Sequence, residues 1–165
     1  MIKRLRGAGL LLCILIILSS CGYRIAGLGS GTSKYAYTLA AVNNRTAEPD
    51  LERIIEDKAV SFFSARGALG GKDRKRFNME ISLDRLSSSS NIVTETGQTG
   101  TSSMAALIEI KLSDGEEVVY IEDYSAKTTY DITSSISENR IRREAAIEEV
   151  IGEALQDFYD EYESK

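Results

Sequence analysis

Histidine is absent from these 165 residues, and so is tryptophan. Without an imidazole the chain cannot build a Ser-His-Asp or Cys-His triad, and it lacks the commonest protein ligand for transition metals. Only two cysteines occur, Cys13 and Cys21, too few for a disulfide framework or a four-thiolate zinc site. Basic charge is also short. Against 25 Asp and Glu stand 20 Lys and Arg, a net charge of −5, which leaves no dominant positive surface and argues against a nucleic-acid binder. The longest apolar run, from Gly7 to Leu18, has twelve residues, whereas a helix crossing a hydrocarbon core of about 30 Å needs roughly 20. What remains, 42% apolar and 27% charged, is the composition of a globular chain whose length suits one domain with a tail.

The first twenty residues read as an address. Lys3, Arg4 and Arg6 form a basic head, the short apolar run follows, and Leu18-Ser19-Ser20-Cys21 closes it. A basic head, an apolar stretch and small residues make up a bacterial secretory signal. The closing tetrad resembles the lipobox of bacterial lipoproteins, in which the Cys thiol receives a diacylglycerol and the chain is cut before it. On that reading residues 1–20 are a signal peptide and Cys21 is the lipidated start of the mature chain. Cys13 leaves with the leader, and loss of its three cations takes the net charge from −5 to −8. Several acyl chains, at about 0.8 kcal/mol per buried methylene, suffice for firm anchoring. Gly22 stands where an Asp would mark inner-membrane retention in enteric bacteria, so the resemblance favours the outer membrane, with the domain facing the periplasm. Residues 21–33 contain four Gly and no periodicity, as expected of a flexible tether. The rest, 34–165, reads as a single domain.

Within it, the apolar run from Tyr35 to Val42 predicts a strand. Pro49, flanked by Glu48 and Asp50, fits the first turn of a helix. Leu51, Ile54, Ile55, Ala59, Phe62 and Phe63 give that helix one apolar face, and Gly67 after Arg66 suits a left-handed cap. Phe77, Met79, Ile81 and Leu83 alternate with polar residues, the pattern of a strand with one wet face. A serine run, 87–90, leads through Ile92 to Thr96 to a turn at 97–100, and a returning strand spans 101–112. Asp114-Gly115 predicts a tight turn into a last strand from Glu117 to Ala126. A polar stretch, 127–135, precedes a closing helix whose start, Ser135-Ile136-Ser137-Glu138, has capping-box spacing. Ile147, Val150, Ile151, Ala154, Leu155, Phe158 and Tyr162 form its stripe. The expectation is an α+β domain of order β-α-β-β-β-α, a four-stranded, mainly antiparallel sheet with two helices packed on one face.

Few residues offer chemistry. Adjacent acids such as Glu122-Asp123 and Glu148-Glu149 point apart on a strand or helix and make poor acid/base pairs. The Ser run has no base beside it, and no phosphate-cradling Gly loop occurs. We therefore expect no enzyme activity, no cofactor and no metal. Two features suit contacts instead. Lys72, Arg74, Lys75 and Arg76 gather cations that could meet a lipid or lipopolysaccharide phosphate, or simply solubilise a loop. Ser87 to Ser103 is almost wholly Ser, Thr, Asn, Gln and Gly, so this hairpin either protrudes into a polar surrounding such as a barrel lumen or is a loop. Its candidate contacts are Ser87, Ser89, Asn91, Thr94, Gln98, Thr99 and Thr101. Arg140, Arg142 and Arg143 sit early in the closing helix, against its dipole, which points to a partner or to neutralisation by Glu138 and Glu144.

Three features together resemble LptE, the lipoprotein family of lipopolysaccharide assembly. These are the start Cys21-Gly22-Tyr23-Arg24, the strand-to-helix joint from Val42 through Asn43-Asn44-Arg45-Thr46 to Pro49, and the element order with its long polar hairpin. The resemblance implies a non-catalytic plug that helps assemble the LptD barrel and pass lipopolysaccharide to the outer leaflet, the glycolipid itself being a further candidate ligand. The alternatives are an outer-membrane lipid carrier or acceptor and a lipoprotein subunit of another envelope or secretion complex.

Overall fold

A computed structural model describes residues 33–70, 73–93 and 100–164. The signal segment, Cys21, the tether up to residue 32, and Lys72, Thr94, Gln98 and Thr99 lie outside the described residues. The elements are β1 (Ala36–Asn44), α1 (Leu51–Ala65), β2 (Arg76–Val93), β3 (Gly100–Asp114), β4 (Glu117–Ile132) and α2 (Ile136–Ser164). The order is the one read from the sequence. The sheet runs β1-β2-β3-β4. β1 and β2 are parallel because α1 crosses between them. The pairs β2–β3 and β3–β4 are antiparallel hairpin neighbours.

Both helices cover one face. Met79, Ile81, Leu83, Ile108, Ile110 and Leu112 point to that face and meet Ile55 and Phe63 of α1 and Val150, Ile151 and Phe158 of α2. All are at most 1% exposed. The β2 alternation stops at Leu83 for a physical reason. Asp84 is an extra residue in the ladder, so Leu83 pairs with Ile108 and Leu86 with Ala106, both on the covered face. One bulge thus turns a three-residue spacing into a shared face.

Helix ends show where local chemistry was read well and where it was not. Gly67 has φ 61°. Its N–H donates to the Ser64 carbonyl, and that of Ala68 to the Phe63 carbonyl, a Schellman cap. At the other end the helix begins at Leu51, not Pro49, because Asp50 takes φ 64° and gives no side-chain cap. Asn44 shapes this joint instead. Its amide donates to the Glu48 carbonyl at 2.6 Å, and its Oδ1 accepts from the Thr46 N–H at 3.0 Å. Half of the expected capping box forms at α2. Ser135 Oγ accepts from the Glu138 N–H at 3.4 Å, but Glu138 turns to Thr133 and Arg142 instead. Asn139 adds a brace by pairing its amide with both backbone groups of Thr133 at 2.7 Å.

The strands end at two poles. Ser33, expected in the tether, is buried at one of them. Its hydroxyl donates to Glu163 near the end of α2, and the same carboxylate accepts from the Lys34 N–H and the Tyr37 hydroxyl. Tyr35, Tyr37, Phe77, Tyr120, Phe158 and Tyr162 pack edge to face around this clasp. The opposite pole, at Val93, Gly100 and Ile132, lies roughly 55 Å away along the 18 residues of β2.

Candidate functional site

The polar hairpin is a sheet, and it has three strands. Ser87 pairs with Ala105, Ser89 with Ser103 and Ile92 with Thr101, while Gly100 to Met104 pair on their other side with Ile132 to Thr128. β4 therefore runs six residues past the expected end at Ala126. The stretch 127–132 is strand because Thr128 and Tyr130 continue the period of Tyr124 and Ala126 on the covered face. That alternation was present in the sequence but masked by its polarity.

Hydroxyls fill the places that aliphatic groups take nearer the helices. On the covered face Ser88 Oγ lies 3.2 Å from Ser102 Oγ and 3.5 Å from the Tyr130 hydroxyl. On the open face Ser89 Oγ lies 2.9 Å from Ser103 Oγ. Ser102 and Ser103 also donate to the Ser89 carbonyl at 3.1 and 3.4 Å. These groups satisfy one another, and among the described residues no base lies within hydrogen-bond reach of them. Ser87 and Ser89 are exposed on it and Thr101 is half-buried. Asn91 is the extra residue of a second bulge, between Ser90 and Ile92.

Among the described residues of the basic loop, Arg74 and Lys75 have partners within the chain. Arg74 is a clamp whose two terminal nitrogens donate to the carbonyls of Ser33, Tyr35, Gly67 and Gly70, between 2.6 and 3.3 Å. Lys75 pairs with Asp114 at 3.2 Å and rests over the Phe77 ring. Arg76, the first residue of β2, pairs with Ala36 in the ladder. Two of the three helix cations are also engaged within the chain. Arg142 meets Glu138 and Asp131. Arg143 grips Glu48 through both terminal nitrogens, one at 2.6 Å, and these hydrogen bonds hold the Glu48 carboxyl below its ordinary range.

The helix-free face carries an ion-pair cluster that sequence reasoning missed. Arg45 reaches Asp84 at 2.9 Å and Glu109 at 3.1 Å. Asp123 completes a group of three carboxylates whose oxygens lie within 4.8 Å of one another. Oxygen donors of this kind suit a hard cation, yet here a guanidinium already bridges two of them. Beside it Lys111 pairs with Glu80, which also accepts from Asn43 at 2.9 Å. Only the fold brings these residues together, and no spacing in the chain signals them. Tyr124, buried and donating to Glu161 at 3.0 Å, has its pKa pushed upward and keeps its proton. Two clefts border the helices, one of about 190 Å³ and one of about 280 Å³. Charged groups line both, Arg53, Asp57, Lys58, Glu144 and Glu148 the first and Asp131, Arg142 and Glu149 the second. Among the described residues no helix is long and apolar enough to cross a membrane.

No family model matches the chain, and no curated protein matches it. Solved structures do. A provisionally named lipoprotein from Caulobacter crescentus CB15 superposes with a TM-score of 0.52 at 13% identity, over 82% of this chain and 91% of that one. A minor lipoprotein from Acinetobacter baumannii gives 0.45 at 8%, over 78% and 93%. Rare lipoprotein B from Shewanella oneidensis gives 0.42 at 10%, over 74% and 96%. The first of these shows a shared fold. The expected membership in the LptE family is corrected on these findings. The matching structures carry diverse designations, three of the five as lipoproteins and none bearing that name, and the sheet is open with β1 and β4 at its edges. The physical reason lies in the quoted motif. Asn44-Arg45-Thr46 makes a local side-chain turn and an ion pair to the sheet, which any such strand-to-helix joint can use.

Proposed function

We propose that this chain is a lipid-anchored, non-catalytic subunit of a bacterial envelope complex, held to the outer membrane through Cys21 and facing the periplasm. Its three-stranded polar finger is the part that meets the partner. The observation that carries this reading is the finger itself, ordered by backbone pairing and hydroxyl contacts and standing at the pole opposite the one where Ser33 enters the domain. A polar surface that carries its own hydrogen bonds can lie against another wet protein surface with little desolvation. A lipid carrier, the other reading of the same anchor, needs an apolar cavity. Charged groups line the two clefts described above, which suits neither of them to a lipid chain.

The test is a photocrosslinking residue at Ser89 or Gln98 of the full-length protein, in native membranes, with the adduct identified by mass spectrometry. One defined envelope protein that also remains bound through detergent is the expected result. Adducts to lipid alone would overturn the subunit reading in favour of a carrier. A soluble product with an unmodified Cys21 thiol would remove the anchor.

A further inference from the structure

Two charges on the edge strand lack counterparts among the described residues. β4 lies at the end of the sheet order, so one whole side of its sixteen-residue backbone is unpaired among the described residues. Asp123 and Lys127 both point to the helix-free face there. Asp123 stands directly opposite Glu109 in the ladder, and like charges in that position destabilise a sheet. Arg45 pairs with Glu109 and Asp84 but not with Asp123, so in this group of three carboxylates one is left without the guanidinium. Lys127 stands opposite Ala105 and has no anion beside it among the described residues. Nearby, Val118, Val119 and Ile121 are 43 to 51% exposed on the same strand. A long edge strand with apolar side chains is a ready template for strand pairing.

Self-pairing places the two unmatched charges against each other. An antiparallel pair of identical strands has a two-fold axis normal to the sheet, which keeps the helices of both copies on one side. Such an axis passes through a residue, since opposed side chains share a face. Through Ser125 it sets Asp123 of each copy opposite Lys127 of the second copy, twice per dimer. The same register sets Ile121 opposite Thr129 and Tyr120 opposite Tyr130. An axis through Tyr124 would place Lys127 against Ile121, and one through Ala126 would place it against Ser125. Of these registers, only the one at Ser125 sets the surplus carboxylate of Asp123 against the ammonium group of Lys127.

We propose that β4 pairs antiparallel with β4 of a second copy of this chain about a two-fold axis at Ser125, joining two four-stranded sheets into one of eight. The occupant is this chain itself because one edge supplies both the surplus carboxylate and the free ammonium group. The outer edge of β2 beyond the end of β1, from Arg85 to Val93, stays open in the dimer. The inference goes beyond the proposed envelope role and does not depend on it.

The test uses full-length protein in membranes, with Ser125→Cys. In the Ser125 register the two Cα atoms sit about 4.5–5.5 Å apart, within disulfide reach. A disulfide-linked dimer is expected on oxidation, absent from the parent chain and from Thr38→Cys on β1. Adding Asp123→Lys should lower the dimer fraction about tenfold, and Asp123→Lys with Lys127→Asp should restore it. The restored pair guards against a variant that merely misfolds. Monomeric Ser125→Cys protein, a mixed disulfide with another protein, or indifference to Asp123→Lys would each overturn the dimer. None of these outcomes touches the Ser89 crosslink, so the two readings fail separately.

Discussion

One strand, β3, runs through two different interiors. From Ala106 to Leu112 its covered face is aliphatic and at most 4% exposed, pressed under the closing helix α2. Beyond Met104, which is itself fully buried, the same face gives way to Ser102, with Ser88 and Tyr130 beside it. Backbone pairing continues unbroken across the change. Burying an aliphatic side chain stabilises by about 1.5–3 kcal/mol, whereas a neutral hydrogen bond contributes about 0.5–1.5 kcal/mol net. The body of the sheet therefore holds the fold. The finger is ordered mainly by being its extension, which places it among the regions that open at lower free energy. Surfaces that adapt to partners are drawn from such regions, so the stabilising body and the proposed contact surface divide the length of the same strands.

Truncation in the body tests that division most strongly. Ile110→Ala removes a fully buried side chain of the core under the helices and should lower unfolding free energy by about 2–5 kcal/mol. Urea denaturation followed by circular dichroism measures it. A loss below about 1 kcal/mol would mean that the aliphatic half does not carry the fold.

The next effect ties the joint before α1 to the closing helix. Glu48 is held below its ordinary 4.5 by the Arg143 hydrogen bonds. Its folded-state pKa is depressed, so the stabilisation is complete above the unfolded value and is lost as pH falls through the folded one. Each side chain of the pair is about one-third exposed, which limits the contribution to about 1 kcal/mol at neutral pH. Arg143→Met should cost that much at pH 7 and much less at pH 3. An equal loss at both values would show that Arg143 acts through packing alone.

A smaller change isolates backbone geometry. Gly67→Ala forces φ 61° on a residue with a Cβ but meets no atom within 4 Å. The expected cost is about 1 kcal/mol, from conformation and not from a clash. Gly67→Asn, better tolerated in the left-handed region, should recover part of it in the same denaturation experiment.

Sequence reading succeeded where one residue type has one physical use. Gly67 ends a helix, alternation from Phe77 to Leu83 gives a strand with one buried face, and the stripe from Ile147 to Phe158 gives a covering helix. It fell short where polar residues do structural work. Thr128 and Tyr130 look like loop in composition, yet they pair with β3. Arg74 looks like a phosphate contact, yet its guanidinium collects backbone carbonyls from the turns around it. Arg45, Asp84, Glu109 and Asp123 span 79 residues of chain, and only strand register could have joined them.

The smallest expected effect concerns the finger itself. Ser102 is 2% exposed, and its hydroxyl faces Ser88 and the Ser89 carbonyl. Ser102→Ala removes one side chain from a ladder whose backbone bonds persist, so the global midpoint should fall by less than about 1 kcal/mol. Local opening should respond more. Hydrogen exchange at residues 87–90, 100–104 and 127–132 should quicken, while exchange at 106–112 stays as in the parent. Equal acceleration in both halves would mean that finger and body unfold as one unit. The contrast between them would then be one of side-chain chemistry without a difference in stability.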